Sequence, residues 1–348
     1  ELKNYIANYS EETFINALRN EQEKHEQEDY EKVKKIWLDW LKKTQGFAKY
    51  VVYKNWVITR VPVFLLHRAK NVNNAKLFYD SRVFYYIYKR LAYPIIDDCS
   101  NTGFNYTVRN VYKNIDNYVK VWELLGDEKS KGVLLDVLKC RLTRNIDCIL
   151  NIYEEENLQY FDDKIIGELN DEVFIDIGGY IGDTTEIFLN KCDSVRKIYI
   201  YEPNTENLRI AKQRLDKYFR FGININCRDV GVSNVETEVR LSKKESGSRI
   251  IHGEIQNSDS NTEVVDLVTL DNDIKEKVTF IKMDVEGEEK RVLEGAKMHI
   301  QNENPKLAIC VYHHFDDLWQ IPLQVNRYNP HYKMFLRHYC KINLSETV

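Results

Sequence analysis

The chain has 348 residues, 43% hydrophobic and 30% charged, with a formal net charge of −4. That length holds a full α/β domain with a smaller one beside it, and the mild acidity denies it the basic field with which proteins hold nucleic acid. Seven scattered cysteines, Cys99, Cys140, Cys148, Cys192, Cys227, Cys310 and Cys340, include no C-x-x-C pair, which predicts reduced thiols in a cytoplasmic protein and excludes a disulfide framework or zinc site.

The chain opens at Glu1 where a Met is expected, with no signal-peptide apolar core and no apolar run long enough to span a bilayer. Residues Ser10 to Lys43 are dense in Glu, Lys and Gln and end on Trp37, Leu38, Trp40 and Leu41, a helical pattern in two segments. Tyr50 to Leu66 is β-branched and interrupted by Pro62, and takes no assignment. Lys76 to Leu91 returns to a helical pattern crowded with Tyr and Phe. Asn114 to Leu142 reads as two amphipathic helices separated around Gly126-Asp127, with Asn145 to Tyr153 extending the second. Before about Tyr160 there is no glycine loop and no metal-ligand spacing. Residues 1–160 are therefore expected to form a mainly helical accessory domain that covers the substrate site, makes a homodimer or docks on a partner, and residues 161–348 the functional domain.

The segment Asp171 to Thr185, DEVFIDIGGYIGDTT, opens the second half. Val173 to Ile177 is a short, β-branched apolar run, the pattern of a buried strand. The strand carries Asp176 near its end and runs into a turn with Gly178, Gly179 and Gly182. Asp183 stands at the expected helix N-cap, with Glu186 as capping-box partner. Such a strand, glycine turn and helix cradle a polar or anionic ligand on exposed backbone amides. A dinucleotide fingerprint needs G-x-G-x-x-G, and Tyr180 occupies its second glycine position. Asp176 instead suits a ligand with positive charge, such as the amino group and sulfonium of S-adenosylmethionine. A tight turn that binds nothing is the bland alternative.

Lys197 to Tyr201 is a second apolar strand ending in Glu202-Pro203. Glu202 falls twenty residues after Gly182, the offset at which a nucleotide-binding fold places a carboxylate for the ribose hydroxyls. Asn204 caps the next helix, whose Leu208, Ala211, Leu215 and Phe219 share one face. Ile223, Ile225 and Cys227 alternate toward Asp229 as a third strand whose end lies near an adenine. Glu236 to Leu241 and Glu263 to Leu270 read as extra strands flanking a polar loop, Lys243 to Thr262, of the length of a lid or binding loop. Val278 to Met283 is the fourth core strand and ends in Asp284-Val285-Glu286-Gly287. A helix behind it sets Val292, Leu293, Ala296 and Ile300 on one face and stops before Pro305. Leu307 to Tyr312 is a fifth strand ending in His313-His314, and Tyr332 to Tyr339 a sixth.

Taken together, FIDIGGYIGDTT, YEPN (Tyr201 to Asn204), FIKMDVEGEEKRVLEGA (Phe280 to Ala296), CVYHHFDDLWQIP and YKMFLRHY resemble the FkbM family of S-adenosylmethionine-dependent methyltransferases. The D-V-E-G-x-E segment followed by V-L-x-G-A is the most specific piece. Leu124 to Thr143 also looks like what precedes the core in many members. The resemblance implies an α/β fold with a Rossmann-like class I methyltransferase sheet, mostly parallel with an antiparallel C-terminal hairpin. The implied activity is O-methylation of a sugar or glycan, often in bacterial polysaccharide assembly. One departure is the last strand, which is incomplete in this chain. The first hundred or so residues carry no resemblance.

Methyl transfer is an in-line displacement, so the acceptor oxygen must be held close and aligned, and a sugar hydroxyl needs a base within hydrogen-bond reach. Ligands in such sheets sit at the carboxyl ends of the strands. This nominates His313 or His314 as base, with Asp284 orienting the acceptor or sharing that role. Glu286 and Trp319 are expected at the substrate, and Tyr328 and Tyr332 offer further flat faces. The cofactor S-adenosylmethionine is assigned to Asp176, Gly178, Gly179, Gly182, Glu202 and Asp229. No metal is expected, although strand-end carboxylates with His can hold a divalent cation. Glu288 and Glu289 are placed at the positive end of a helix. Two rival readings are a nicotinamide-dependent oxidoreductase, disfavoured by Tyr180, and a non-catalytic interaction module of a glycan-assembly complex.

Overall fold

A computed structural model describes residues 110–143, 147–242, 250–251, 262–341 and 344–348. The predicted helices in Ser10–Lys43 and Lys76–Leu91, the stretch Tyr50–Leu66, Cys99 and most of the loop Lys243–Thr262 lie outside the described residues. The chain divides into two compact units. The described part of the first contains Glu128–Tyr153, the residues before it up to Val119, and part of Cys340–Leu344. The second contains Lys120–Asp127, Glu154–Tyr339 and Ser345–Val348.

In the first unit the helix Glu128–Thr143 buries Val133, Leu134, Val137 and Leu138 along one stripe, an i, i+1, i+4, i+5 pattern that closes one helical face. The separation from Ile115–Leu124 falls at Gly126-Asp127 as its sequence signals. Asp147–Leu150, inside the expected extension Asn145 to Tyr153, is helical.

The second unit is built on a five-stranded parallel sheet. Its strands are β1 (Asn170–Ile177), β2 (Ser194–Tyr201), β3 (Ile225–Arg228), β8 (Phe280–Met283) and β9 (Lys306–Ile309), in the order β3-β2-β1-β8-β9. A smaller sheet, ordered β4-β7-β5-β6, contains β4 (Gly231–Val232), β5 (Thr237–Ser242), β6 (Ile250–Ile251) and β7 (Thr262–Val268). Here β5 and β7 pair antiparallel, which realises the extra strands. Strands β1, β2 and β8 read as continuous apolar runs because helices cover both faces of a parallel sheet. Beneath β1, Phe161, Phe174, Phe188 and Phe280 form one cluster. Phe174 and Phe188 stack at 4.1 Å between ring centroids, and Phe161 and Phe280 meet them edge-on or tilted. All four are fully buried.

The register decides where the site falls. Ile177 pairs with Tyr201 and with Met283, Tyr201 with Arg228, and Met283 with Ile309. All five strands therefore end on one line, and the residues that follow leave the sheet at a common rim. The chain reverses its direction of winding between β1 and β8, which opens a crevice at that rim.

Several local expectations change. Gly182, at φ 75, is the residue preceding the helix Asp183–Lys191, so Asp183 sits inside its first turn and makes no capping bond. Glu186 does not complete a capping box; its carboxylate pairs with Arg214 and Lys217. The helix behind β8 is two helices, Glu289–Gly295 and Lys297–Glu303, joined at Ala296 with φ −111. Gly295 lies so close to the Ser233 carbonyl that a Cβ would overlap it, and the break accommodates that approach. The expected sixth strand, Tyr332 to Tyr339, does not extend the sheet. Its backbone groups are taken elsewhere: Gly126 donates to Met334, and Arg337 and Tyr339 pair with Val348 and Glu346 in an irregular antiparallel contact. Among the described residues no helix is long and apolar enough to cross a membrane.

Candidate functional site

The rim of the parallel sheet opens into a cavity of about 450 Å³. Its wall combines Gly178, Tyr180, Asp183 and Thr184 from the turn after β1, Glu202, Pro203 and Asn207 from the end of β2, and Asp284, Glu286 and Glu288 from the end of β8. Tyr160, Lys282, Tyr312 and Glu346 also line it. A second cavity of about 160 Å³ lies along the flank of edge strand β9, walled mainly by aliphatic and aromatic side chains; it shares Tyr160 with the first but is not lined by Glu202, Lys282, Asp284 or Glu286.

On the β2 side, Glu202 is 6% exposed and its carboxylate accepts the Tyr180 and Asn204 amides, each at 2.9 Å. Burial outweighs those bonds and pushes its pKa up to about 7. Asn204 accepts the Glu206 and Asn207 amides and so caps the next helix, which fixes the loop that carries Glu202. Tyr180 holds φ 44, a left-handed backbone that directs its amide toward Glu202.

Asp176 lies below the turn, fully buried, and is not part of the cavity wall. Lys282 Nζ stands 3.0 Å from its carboxylate and donates to the Gly178 carbonyl at 2.8 Å, while the Thr185 hydroxyl donates to Asp176 at 2.7 Å. Burial opposes the Lys282 charge, yet Asp176 and Asp284 outweigh it and raise the ammonium pKa. This pair supports the glycine turn from inside, so Asp176 acts on the cavity through the backbone it holds. Gly178, at φ 75, abuts the Asp284 carbonyl so closely that no side chain fits. Gly179 abuts Ile200 and Gly182 abuts Ala211, so their smallness serves strand and helix packing.

The β8 side is acidic. Asp284 accepts the Tyr160 hydroxyl at 2.8 Å and the Tyr312 hydroxyl at 3.4 Å, and His313 Nε2 stands 3.4 Å from it. His313 is buried behind Asp284, with Nδ1 2.8 Å from Glu289 and Nε2 3.9 Å from Glu286. Burial disfavours its imidazolium, but the Glu289 bond and the charges of Glu289, Asp284 and Glu286 prevail and push its pKa up to about 9. Burial and neighbouring charge, from Cys310 and Asp284 among others, raise the Tyr160 and Tyr312 phenols well above their usual value. Burial together with Asp284 likewise raises Glu346. His313, Tyr160, Tyr312 and Glu346 are thus biased toward their protonated forms, with neighbouring carboxylates contributing to each.

Of the residues nominated from sequence, Gly178, Glu202, Asp284 and Glu286 meet at the cavity. Asp229 is exposed just beyond β3 and lies outside the wall. His314 faces away: its Nε2 is 3.1 Å from the Gly287 carbonyl and its amide donates to Asp317. Trp319 bonds to Asp316, Tyr328 to Gln324 and Tyr332 to the Pro305 carbonyl, so these aromatics pack the helix Asp317–Tyr328 and its surroundings. Glu289 is no surface helix-start charge; it is 1% exposed and bonded to His313. Sequence reading missed Tyr160, Lys282 and Glu346. Lys282 had a signal, a lone cation inside the apolar run of a central strand, which demands a buried counterion. Tyr160 and Glu346 had none, since each reaches the site from a distant stretch of chain.

Residues 176–340 match the family model described as Methyltransferase FkbM domain. No curated protein sequence matches the chain. Among solved structures, a methyltransferase FkbM from Methylobacillus flagellatus KT shares the fold at a TM-score of 0.60 and 24% identity. The likeness covers 70% of this chain and 60% of that one, so this chain spans less than two thirds of its neighbour's length.

Proposed function

We propose, from the match of residues 176–340 to the methyltransferase FkbM domain, that the chain transfers a methyl group from S-adenosylmethionine to a hydroxyl of a sugar or glycan. One observation carries the reading: β1 stands between β2 and β8, so Glu202 and Asp284 flank the glycine turn on either side within one cavity. The donor set fits this cofactor. Glu202 is a desolvated carboxylate with two amides already on it and lone pairs left for ribose hydroxyls. The acidic β8 side suits a sulfonium.

When bound, the cofactor supplies a methyl group whose bond to sulfur breaks, the electron pair staying on sulfur, as the acceptor oxygen forms the new carbon–oxygen bond. The protein's work is placement and proton removal. Asp284 and Glu286 are the carboxylates at the acceptor end that take the hydroxyl's hydrogen bond and then its proton. Tyr160 and Tyr312 hold Asp284 in position. His313, held by Glu289, lies behind Asp284. A wall with Asp284, Glu286, Glu288 and Glu346 among four tyrosines offers many acceptors to a polyhydroxylated ligand and flat faces to a ring, which supports a sugar over an apolar acceptor. Polysaccharide or glycoconjugate assembly is the setting this acceptor implies.

Calorimetric titration with S-adenosylmethionine, S-adenosylhomocysteine and NADH tests the cofactor, and transfer of labelled methyl to a glycan panel tests the acceptor. Binding of the first two ligands alone and label on a sugar oxygen are expected. Binding of NADH alone, or of none of the three, overturns the reading.

A further inference from the structure

The acceptor end contains a buried histidine with one nitrogen to spare. Glu289 Oε1 lies 2.8 Å from His313 Nδ1 and also accepts the Val285 amide at 3.1 Å, so this carboxylate is fixed from two sides. A carboxylate on Nδ1 keeps a proton there and makes Nε2 the nitrogen that gives up its proton to a cation, the arrangement that prepares a histidine to ligate. The His313 side chain is 5% exposed, and its Nε2 is buried with no hydrogen bond. That atom faces Asp284 Oδ1 at 3.4 Å and Glu286 Oε2 at 3.9 Å. Glu289 Oε2 is likewise buried without a hydrogen bond. One donor atom each from Asp284, Glu289 and His313 lies within 4.8 Å of the others.

The spacing is informative. A charge-assisted bond would draw an imidazole nitrogen and a carboxylate oxygen to about 2.7–2.9 Å. Atoms sharing a four-coordinate cation at about 2.0–2.2 Å stand roughly 3.4 Å apart. The Nε2 to Oδ1 separation matches the second figure. Asp284 and Glu286 also line the cavity, so a cation between Asp284 and His313 keeps open positions toward an acceptor oxygen.

We propose that Asp284 and His313 Nε2 ligate a divalent cation at the acceptor end of the cavity, with Glu289 orienting the histidine from behind. The mixed imidazole and carboxylate set favours Mn²⁺ or Zn²⁺ over the all-oxygen preference of Mg²⁺ and Ca²⁺. The cation acidifies a bound hydroxyl and leaves Glu286 as the carboxylate that takes its proton. This role rests on the methyl-transfer reading above; the site itself does not.

Titration of the full chain with Mn²⁺, followed by calorimetry and electron paramagnetic resonance, tests it. One bound ion is expected, weakened at least about tenfold in Asp284→Asn and His313→Gln and by ~10–100-fold in Glu289→Gln, the loss typical of an orienting partner. Each variant is checked for S-adenosylhomocysteine binding, which reports both folding and the intact Glu202 side. Should His313→Gln not fold, Asp284→Asn decides, since Asp284 is partly exposed. The proposal is overturned if millimolar Mn²⁺ and Zn²⁺ both fail to bind, or if they bind Asp284→Asn as tightly as the unmodified chain. Cofactor binding without metal binding sinks the cation site alone; metal binding without cofactor binding sinks the methyl-transfer reading alone.

Discussion

In the proposed reaction Glu202 serves the cofactor and Asp284 the acceptor. With its pKa near 7, Glu202 accepts ribose hydroxyls fully only when ionised, so cofactor affinity should rise as pH climbs through 7 and level off above it. Calorimetry between pH 5.5 and 8.5 checks this, and about a tenfold weakening per pH unit below 7 is expected. The stability effect has the opposite sign. The folded apo chain keeps a proton on Glu202 between its ordinary value of 4.5 and about 7, where the unfolded chain has released it. This group's contribution to stability is therefore lost as pH rises across that window. Glu202→Ala should abolish cofactor binding. Asp284→Asn should leave cofactor affinity within about threefold while cutting turnover by ~10²–10⁴, the range of a lost proton acceptor; equal loss of both would remove Asp284 from the acceptor side.

The element on which the site depends is the turn between β1 and the helix Asp183–Lys191. It is held from below by the ion pair of Asp176 with Lys282, both nearly inaccessible, and a buried pair broken on one side leaves an unpaired charge. Lys282→Met should cost about 3–5 kcal/mol, seen as a fall in denaturation midpoint, and Asp176→Asn added to it should recover part of that loss. An unchanged midpoint in the single variant would show that the pair does not support the turn. Gly178→Ala meets both a positive φ and the Asp284 carbonyl. The backbone cost alone is ~1–3 kcal/mol, and the overlap adds to it, so this variant should melt well below the parent or fail to fold.

At the scale of the whole molecule, the C-terminal residues close the functional unit. Arg337 and Val348 exchange both backbone hydrogen bonds, Tyr339 donates to Glu346, and Val311 donates to Thr347. Removing residues 346–348 should lower the melting temperature and also strip Glu346 from the cavity wall; a truncated chain with unchanged melting would refute that closure. Much of this unit was legible beforehand, because its information is local. Apolar runs of strand length, the glycine turn and the twenty-residue offset to Glu202 depend on periods and distances along the chain, and these placed the parallel strands and set Glu202 just past the end of β2. The sheet's missing sixth strand was not legible, since backbone groups in Tyr332 to Tyr339 could pair with several neighbours and nothing in their pattern chooses. The two histidines show the same limit: adjacent in sequence and equal in kind, they separate only when β9 ends and turns one ring inward to Glu289 and the other toward Gly287. Sequence by itself determined the α/β class and which stretches form the strands of the parallel sheet, because burial leaves a period in the residues. Tertiary structure alone decided which of those residues share a cavity, because register and packing across long separations set distances that no spacing along the chain encodes.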